Sequence, residues 1–458
     1  MEIKITDNLS ISYGNFGFIL EKSGHEKLQN RCITLERYLK SDYDSFAINY
    51  RLVLEEFAIS EEVRKRIINS GMRFNEQTTR DRITQEVKRN QTGYSDLLID
   101  LCLNSENADL IENLMKKQRA STDNWDSSVF KEELQKYIRM MFRFASKNAH
   151  SGEKSSDLIP TNDVCRDYFR KLFYLLCAYY GHSAKFDGSL LPFGDYYPIP
   201  KSQREQLGII LENKKQIYVK QGEKSLEFYL FVPADEHLAD AQKRDIETVH
   251  KLWMDNIDSP QNIVNHPTFI SNKNNKDYRY WVYPLPTIPH SMTDEYLKHL
   301  SYDEKMEIIR GIVRGVASMH HAEPPFYHRS LSTAAFLICK IRNRLKPLLI
   351  NFDCVKDTDE FAEYTVFYAV SDKLSEEELR EAFAPELYSE ELDSDKIDWA
   401  KVDIYALGKM IVKIFTNSYD VSTENLENIG KEQSEMIISM CNEDFSCRPD
   451  INEVLRVF

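Results

Sequence analysis

Arg143, Asn148 and His150 stand close together in the run RFASKNAHSG. Arg143 and His150 are seven residues apart, close to two turns of an α-helix, so both can lie on one helix face. An imidazole moves protons near neutral pH, and a guanidinium offsets negative charge that builds up on a phosphate. The pair is therefore a candidate for phosphate chemistry without a metal. Residues 131–150 carry five basic and two acidic side chains, a local net charge of +3. Asn148 and His150 fall just before Ser151-Gly152, near the C-terminal end of the expected helix, where the helix dipole favours imidazolium. A helix-end cap or a packed surface histidine is the plain alternative for His150.

These residues need a scaffold, and the composition supplies one. The chain has 458 residues, 42% hydrophobic and 29% charged, with 15 Gly and 15 Pro, which excludes a mainly disordered, collagenous or low-complexity chain. The length predicts two or more domains. A net charge of −14 argues against a whole-surface grip on nucleic acid, while one local basic groove can still hold a phosphate chain. The charge is uneven: residues 353–398 hold 16 acidic and 4 basic side chains, a net of −12, read as a solvated loop or as a docking or autoinhibitory segment. The eight cysteines show neither CxxC spacing nor a zinc pattern, and reduced thiols in a cytosol are expected. No metal and no cofactor is expected. The start, MEIKITDNLS, lacks the basic and apolar regions of a secretory signal, and no run of 18 apolar residues is present, so a cytoplasmic protein without a membrane span is expected.

The periodicity predicts an α+β chain. Residues 1–32 alternate loosely and predict a small β-rich segment, with Gly14 and Gly17 at turns. From 33 to 185, apolar residues recur at three- and four-residue spacing, which predicts a helical bundle. Its last helix, NDVCRDYFRKLFYLLCAYYG, has Asn162 or Asp163 as candidate cap and Gly181 as stop. Residues 186–205, rich in Pro and Gly, predict a linker. Beyond it come strand-like pieces (KQIYVKQ, LEFYLFVP, YRYWVYPLP) interrupted by a helix at about 239–254. A long helix follows at 302–321, then a buried strand at 346–352 and a mainly helical remainder.

In the second half, YHRSLSTAAFLI (327–338), LLINFDCVK (348–356), FAPELY (383–388), VDIYALGKMIVKIF (402–415) and CRPDINEVL (447–455) follow one another in order. With these landmarks residues 206–458 resemble the eukaryotic-type protein kinase fold, which implies a two-lobed domain with a small lobe at 206–286 and a large lobe at 287–458. The resemblance implies that Glu386 and Arg448 form a buried ion pair, that Asp403 holds the backbone of the catalytic loop, and that His328 and Arg329 have structural roles. The positions for chemistry are degenerate. Phosphoryl transfer needs a carboxylate for the acceptor hydroxyl and Asp plus Asn on magnesium. Ser330 stands at the base position, Ala335 at the magnesium-binding Asn, and Asn351 opens the metal-binding turn. Asp353, third in that turn, is the one carboxylate that could hold a metal there. The phosphate loop has a single glycine, Gly208, and the presumed third strand LEFYLFVP lacks the phosphate-binding lysine; Lys220 and Lys224 precede it. Glu247 is a candidate for the helix glutamate that would pair with that lysine. Together these losses imply a pseudokinase.

From about residue 95, the run RFASKNAHSG followed by an apolar helix resembles the HEPN superfamily of helical bundles, whose hallmark is Arg, four to six residues, then His. The resemblance implies that Arg143, Asn148 and His150 form half of a composite site, that two bundles dimerise, and that RNA is cut with its 2′-OH as nucleophile. Phe144 departs from the family, in which many nuclease members place a small polar residue after the arginine. Three functions follow. One is a metal-independent endoribonuclease regulated by a catalytically dead kinase-like domain, as in prokaryotic toxin or phage-defence systems, with the acidic segment covering the basic patch at rest. The second is a non-catalytic scaffold for a partner protein, and the third an atypical kinase using Asp353. RNA, and a second copy or a partner protein, are the expected partners.

Overall fold

The computed structural model describes residues 2–6, 9–12, 14–70, 75–89, 93–149, 159–211, 215–223, 225–234, 239–254, 262–273, 278–350, 352, 356–357, 382–388, 397–427 and 429–458. The chain is α+β and divides into two compact units. One comprises residues 1–200 with 271–278, and the other residues 201–270 with 279–458.

In the first unit, among the described residues, a hairpin of β1 (Glu2–Thr6) and β2 (Leu9–Ser12) is followed by eight helices: α1 (Phe18–Ser23), α2 (Glu26–Tyr38), α3 (Tyr43–Ser70), α4 (Glu76–Arg89), α5 (Tyr94–Leu103), α6 (Ala108–Gln118), α7 (Ser127–Ala149) and α8 (Asn162–Tyr179). Their apolar spacing explains the packing. Along α8, Cys165, Phe169, Leu172, Phe173 and Leu176 recur at three- and four-residue intervals, and all are fully buried. They meet Phe16, Phe46, Phe57 and Phe144 in one aromatic-rich core. Each such ring contributes about 2 kcal/mol by leaving water.

Three boundaries differ from the expectations. The β-rich segment 1–32 shrinks to the hairpin, because Phe16 and Phe18, whose alternation suggests a strand, instead anchor the chain on α8: the Phe16 ring lies 5.4 Å from Phe169 and 5.7 Å from Phe173. The linker 186–205 is ordered over much of its length. Phe186 and Leu191 belong to or pack on the bundle core, and a short strand, β3, forms at Tyr197–Pro198. Its prolines and glycines bend a segment that its aromatic residues hold down. Residues 271–278, expected within the small lobe, group with the bundle: Asn272 Nδ2 donates to the Lys40 carbonyl at 2.6 Å, and Lys273 Nζ meets Asp42 Oδ2 at 3.1 Å. The cap of α8 is neither Asn162 nor Asp163 but Thr161, whose hydroxyl accepts from the Val164 N–H.

In the second unit α9 (Lys201–Gln206) precedes a sheet whose strands within this unit run in the order β4 (Gln216–Gln221), β5 (Leu226–Pro233), β7 (Arg279–Leu285), β6 (Thr268–Ser271), with α10 (Ala239–Met254) inserted in sequence. β4 and β5 pair antiparallel, with Lys220 opposite Glu227. A second antiparallel sheet joins β8 (Pro289–Ser291), β10 (Phe336–Ile341) and β11 (Arg344–Leu349). Short strands β9 (Phe326–Tyr327) and β12 (Lys356–Asp357) pair with each other. The helices are α11 (Asp294–Lys298), α12 (Tyr302–His320), α13 (Trp399–Thr416), α14 (Thr423–Leu426), α15 (Lys431–Met440) and α16 (Ile451–Val457). A capping box of Ser301 and Glu304 opens α12. Gly311 on α12 is forced by close approach, since a Cβ there would lie 2.5 Å from the Pro347 ring of β11. Among the described residues, no helix is long and apolar enough to cross a membrane.

Candidate functional site

Arg143 and Phe144, neighbours on α7, lie on different faces of the helix. A step of about 100° per residue separates them on the helix, so one faces solvent while the other faces the core. Arg143 is exposed and makes no hydrogen bond or ion pair with any described residue, whereas Arg139, one turn earlier, meets Asp96 at 3.4 Å. Phe144 is fully buried and stacks on Tyr168 of α8, with ring centroids 4.1 Å apart and an interplanar angle of 9°. Tyr50 closes on the same ring edge-on at 5.5 Å. This aromatic stack fixes the rotation of α7 about its axis and thereby the outward aim of Arg143.

Arg143 lies near the junction of α7 and α8. Burial pushes the Tyr168 hydroxyl above its ordinary range, the Asp167 carboxylate adds to that, and the Arg143 charge opposes both. Lys171 Nζ sits 5.1 Å over the Tyr168 ring and pairs with Asp167. Among the described residues, Arg143 of α7 thus stands unpaired beside Tyr168 of α8, whose neighbour Lys171 is paired with Asp167. The helix runs through Asn148 to Ala149. The Asn148 side chain, and His150 altogether, lie outside the described residues, so of the three residues singled out by sequence the structure places Arg143 alone in full.

The second candidate place is the loop after β9. His328, Arg329 and Ser330 are all buried. Asp403, at the start of α13, accepts the His328 N–H on Oδ2 and the Arg329 N–H on Oδ1, each at 2.7 Å, and His320 Nε2 lies 3.1 Å from Oδ2. Two buried backbone donors are thus satisfied by one carboxylate, which holds the loop in a shape the backbone alone disfavours: Arg329 adopts φ +67°. Its guanidinium lies 4.1 Å over the Trp399 ring. Ser330 N donates to His328 Nδ1 at 3.3 Å. Ala335 ends a short 3-10 turn, is 2% exposed, and its carbonyl accepts from Ile350 N. Asn351 and Asp353 lie outside the described residues, while Phe352 between them is fully buried.

Glu386 and Arg448 form a bidentate pair, NH1–Oε1 2.6 Å and NH2–Oε2 2.9 Å. Arg448 Nε also donates to the Asn442 carbonyl, and the guanidinium lies 4.7 Å over the Tyr405 ring. The pair ties the 3-10 turn Pro385–Tyr388 to the segment leading into α16.

A cavity of about 120 Å³ lies among Ile210, Leu211, Lys215, Met292, Leu337 and Ile350. Pockets for drug-sized ligands run from roughly 300 to 1,000 Å³. The segment before β4 is laced to β8: Ile210 N donates to Ser291 Oγ at 2.9 Å, Ser291 Oγ donates to the Ile210 carbonyl at 2.7 Å, and Ser291 N to the Gly208 carbonyl at 3.1 Å. Glu247 on α10 is exposed, and Lys224 lies outside the described residues. Among the described residues no cluster of three or more His, Cys, Asp or Glu side chains could hold a metal ion.

Sequence reasoning missed two features. Trp399 beside Arg329 carries no motif, and only the fold shows the contact. A polar cluster around Glu61 in the bundle, joined to Tyr179 and Tyr180, was invisible because its members lie 118 and 119 residues apart. No protein-family model matches the chain, and no curated protein matches it.

Proposed function

We propose that the protein is a two-part RNA-directed effector: an N-terminal HEPN-like bundle that cuts RNA without a metal, and a C-terminal kinase-like unit that has lost phosphoryl transfer and regulates or recruits. The observation that carries this reading is Arg143, an exposed and uncommitted guanidinium aimed outward by the buried Phe144–Tyr168 stack. The loss of kinase chemistry is supported by Ser330 and Ala335, a buried hydroxyl and a buried methyl where transfer would require a base and a metal ligand. The retained Asp403 and Glu386–Arg448 contacts hold loops rather than ligands, so that unit keeps its shape with its chemistry gone. In the proposed reaction the RNA 2′-OH attacks the adjacent phosphorus and gives up its proton to His150, while Arg143 offsets charge on the phosphorane. The P–O5′ bond breaks, leaving a 2′,3′-cyclic phosphate and a 5′-hydroxyl that takes its proton from the imidazolium or water. A phage-defence or toxin setting in the cytoplasm, with a second copy completing the composite site, fits this reading.

The test is incubation of the full chain with labelled structured and unstructured RNA in EDTA. Wild-type protein is expected to cut, with H150A and R143A each at least about a hundredfold slower. Because Arg143 is exposed and unpartnered, R143A should stay within about 0.5 kcal/mol of wild-type stability, so lost cutting reports chemistry and not unfolding. Equal cutting by all three proteins, or none by wild type as a dimer, sinks the reading.

A second reading, a non-catalytic scaffold, is favoured by Phe144 itself: a core aromatic occupies the place where many nuclease members carry a small polar residue. A protein that binds RNA or a partner protein through the α7 end and cuts nothing would support it.

A further inference from the structure

A polar concavity of the helical unit lies away from any motif. A pocket of about 590 Å³ opens among α1, α3, the turn between α5 and α6, and the end of α8. Its floor is Glu61, only 3% exposed. Oε1 of this carboxylate accepts from the Tyr180 hydroxyl at 2.6 Å and lies 3.1 Å from His25 Nε2, while Oε2 accepts from the Tyr179 hydroxyl at 3.2 Å. A carboxylate offers about four lone-pair sites, and three are engaged, so Oε2 retains an acceptor site. Burial disfavours the Glu61 anion, but the bonds from His25 and Tyr180 outweigh burial and hold the carboxyl below its ordinary range. A fixed buried anion with one open acceptor site is a receptor for an N–H donor edge.

The rim has the opposite character. Lys22 is exposed and engages no described residue, and Arg64 reaches Glu61 Oε2 only at 3.7 Å. Ile68, 67% exposed, gives one apolar wall, and the half-buried Tyr179 ring gives another. The pocket therefore offers an acceptor at the bottom, a ring and an alkyl group on its walls, and at the mouth the exposed Lys22 together with Arg64, whose ion pair to Glu61 is long. From this arrangement we infer that the pocket binds a nucleoside monophosphate whose base carries an exocyclic amino group. The amino edge reaches Glu61, the base lies between Tyr179 and Ile68, and the phosphate meets Lys22 and Arg64. This site uses none of Arg143, Asn148 or His150 and stands or falls independently of RNA cutting.

The test is isothermal titration of the full chain with AMP, GMP and CMP separately, with ribose 5-phosphate and inorganic phosphate as baseless controls. At least one nucleotide is expected to bind at a single site, roughly tenfold or more tighter than ribose 5-phosphate, and the K22Q/R64Q double variant should weaken it by roughly tenfold. Ile68→Glu, a change at an exposed rim position, should weaken the same nucleotide while leaving the thermal transition in place, which guards against a double variant that folds poorly. Absence of nucleotide binding overturns the proposal. So does binding that both variants leave unchanged, which would place the nucleotide elsewhere, or equal binding of ribose 5-phosphate, which would reduce the pocket to an anion site.

Discussion

Both units bury charge, and they differ in what the buried charge holds. In the unit with the sheets, buried charge is met by charge or by backbone: Glu386 closes on Arg448, whose side chain is fully buried, and Asp403 takes two backbone N–H groups. These contacts join segments far apart in sequence and pin loops that would otherwise have no fixed shape. In the helical unit the core is rich in aromatic rings; there the buried Glu56 closes on the buried Arg80, while Glu36 accepts from the Asn15 backbone N–H at 2.7 Å and from its Nδ2 at 3.1 Å. Burial pushes the Glu36 carboxyl up to about 7 against those bonds. The difference lies in what the contacts join: in the bundle Glu56 and Arg80 link two helices, whereas in the other unit the polar contacts fix loops.

Three measurements can break or sharpen that contrast. The largest effect is expected from Phe144→Ala, which empties a fully buried ring site between Tyr50 and Tyr168 and should cost about 4 kcal/mol by chemical denaturation, confined to the transition of the helical unit. A cost below about 1 kcal/mol would mean that the stack does not orient α7. Next, Glu386→Ala leaves the Arg448 charge buried without its carboxylate and should cost about 3 kcal/mol in the other unit's transition. If the effect appears in both transitions, the units do not unfold independently. The third is Glu36. Its folded-state pKa lies above the unfolded value, so its contribution is full below about pH 4.5 and is lost as pH rises towards 7. Over that window the helical unit should lose about 3 kcal/mol from this group. Glu36→Gln should remove that slope and be more stable than wild type at pH 8. An unchanged slope would show that Glu36 is ionised when folded.

Much of the architecture was legible because apolar periodicity is local. The helices at 239–254 and 302–320 and the strand LEFYLFVP stand close to where spacing placed them. The errors came where a residue's partner lies far along the chain. Phe16 and Phe18 looked like alternating strand positions and are core anchors on α8, and the Pro- and Gly-rich stretch 186–205 hid Phe186 and Leu191, both directed at the bundle. The candidate site was legible only in part: spacing singled out Arg143, but nothing local says that Arg143 is uncommitted while Arg139 is paired with Asp96.

Sequence alone determined that Ser330 and Ala335 stand in the run YHRSLSTAAFLI and Asn351 in the run NFD, since the identity of a side chain limits its chemistry whatever its surroundings. It also determined the helical texture of the first unit, because a 3.6-residue stripe must be buried against something. Only the tertiary structure decided that Arg143 faces water and Phe144 the core, that one carboxylate of Asp403 satisfies two backbone donors, and that Glu61 meets Tyr179 and Tyr180 at the bottom of a pocket. Each of these depends on which distant groups a side chain reaches after folding, and that is set by how whole helices and sheets pack rather than by the order of residues nearby.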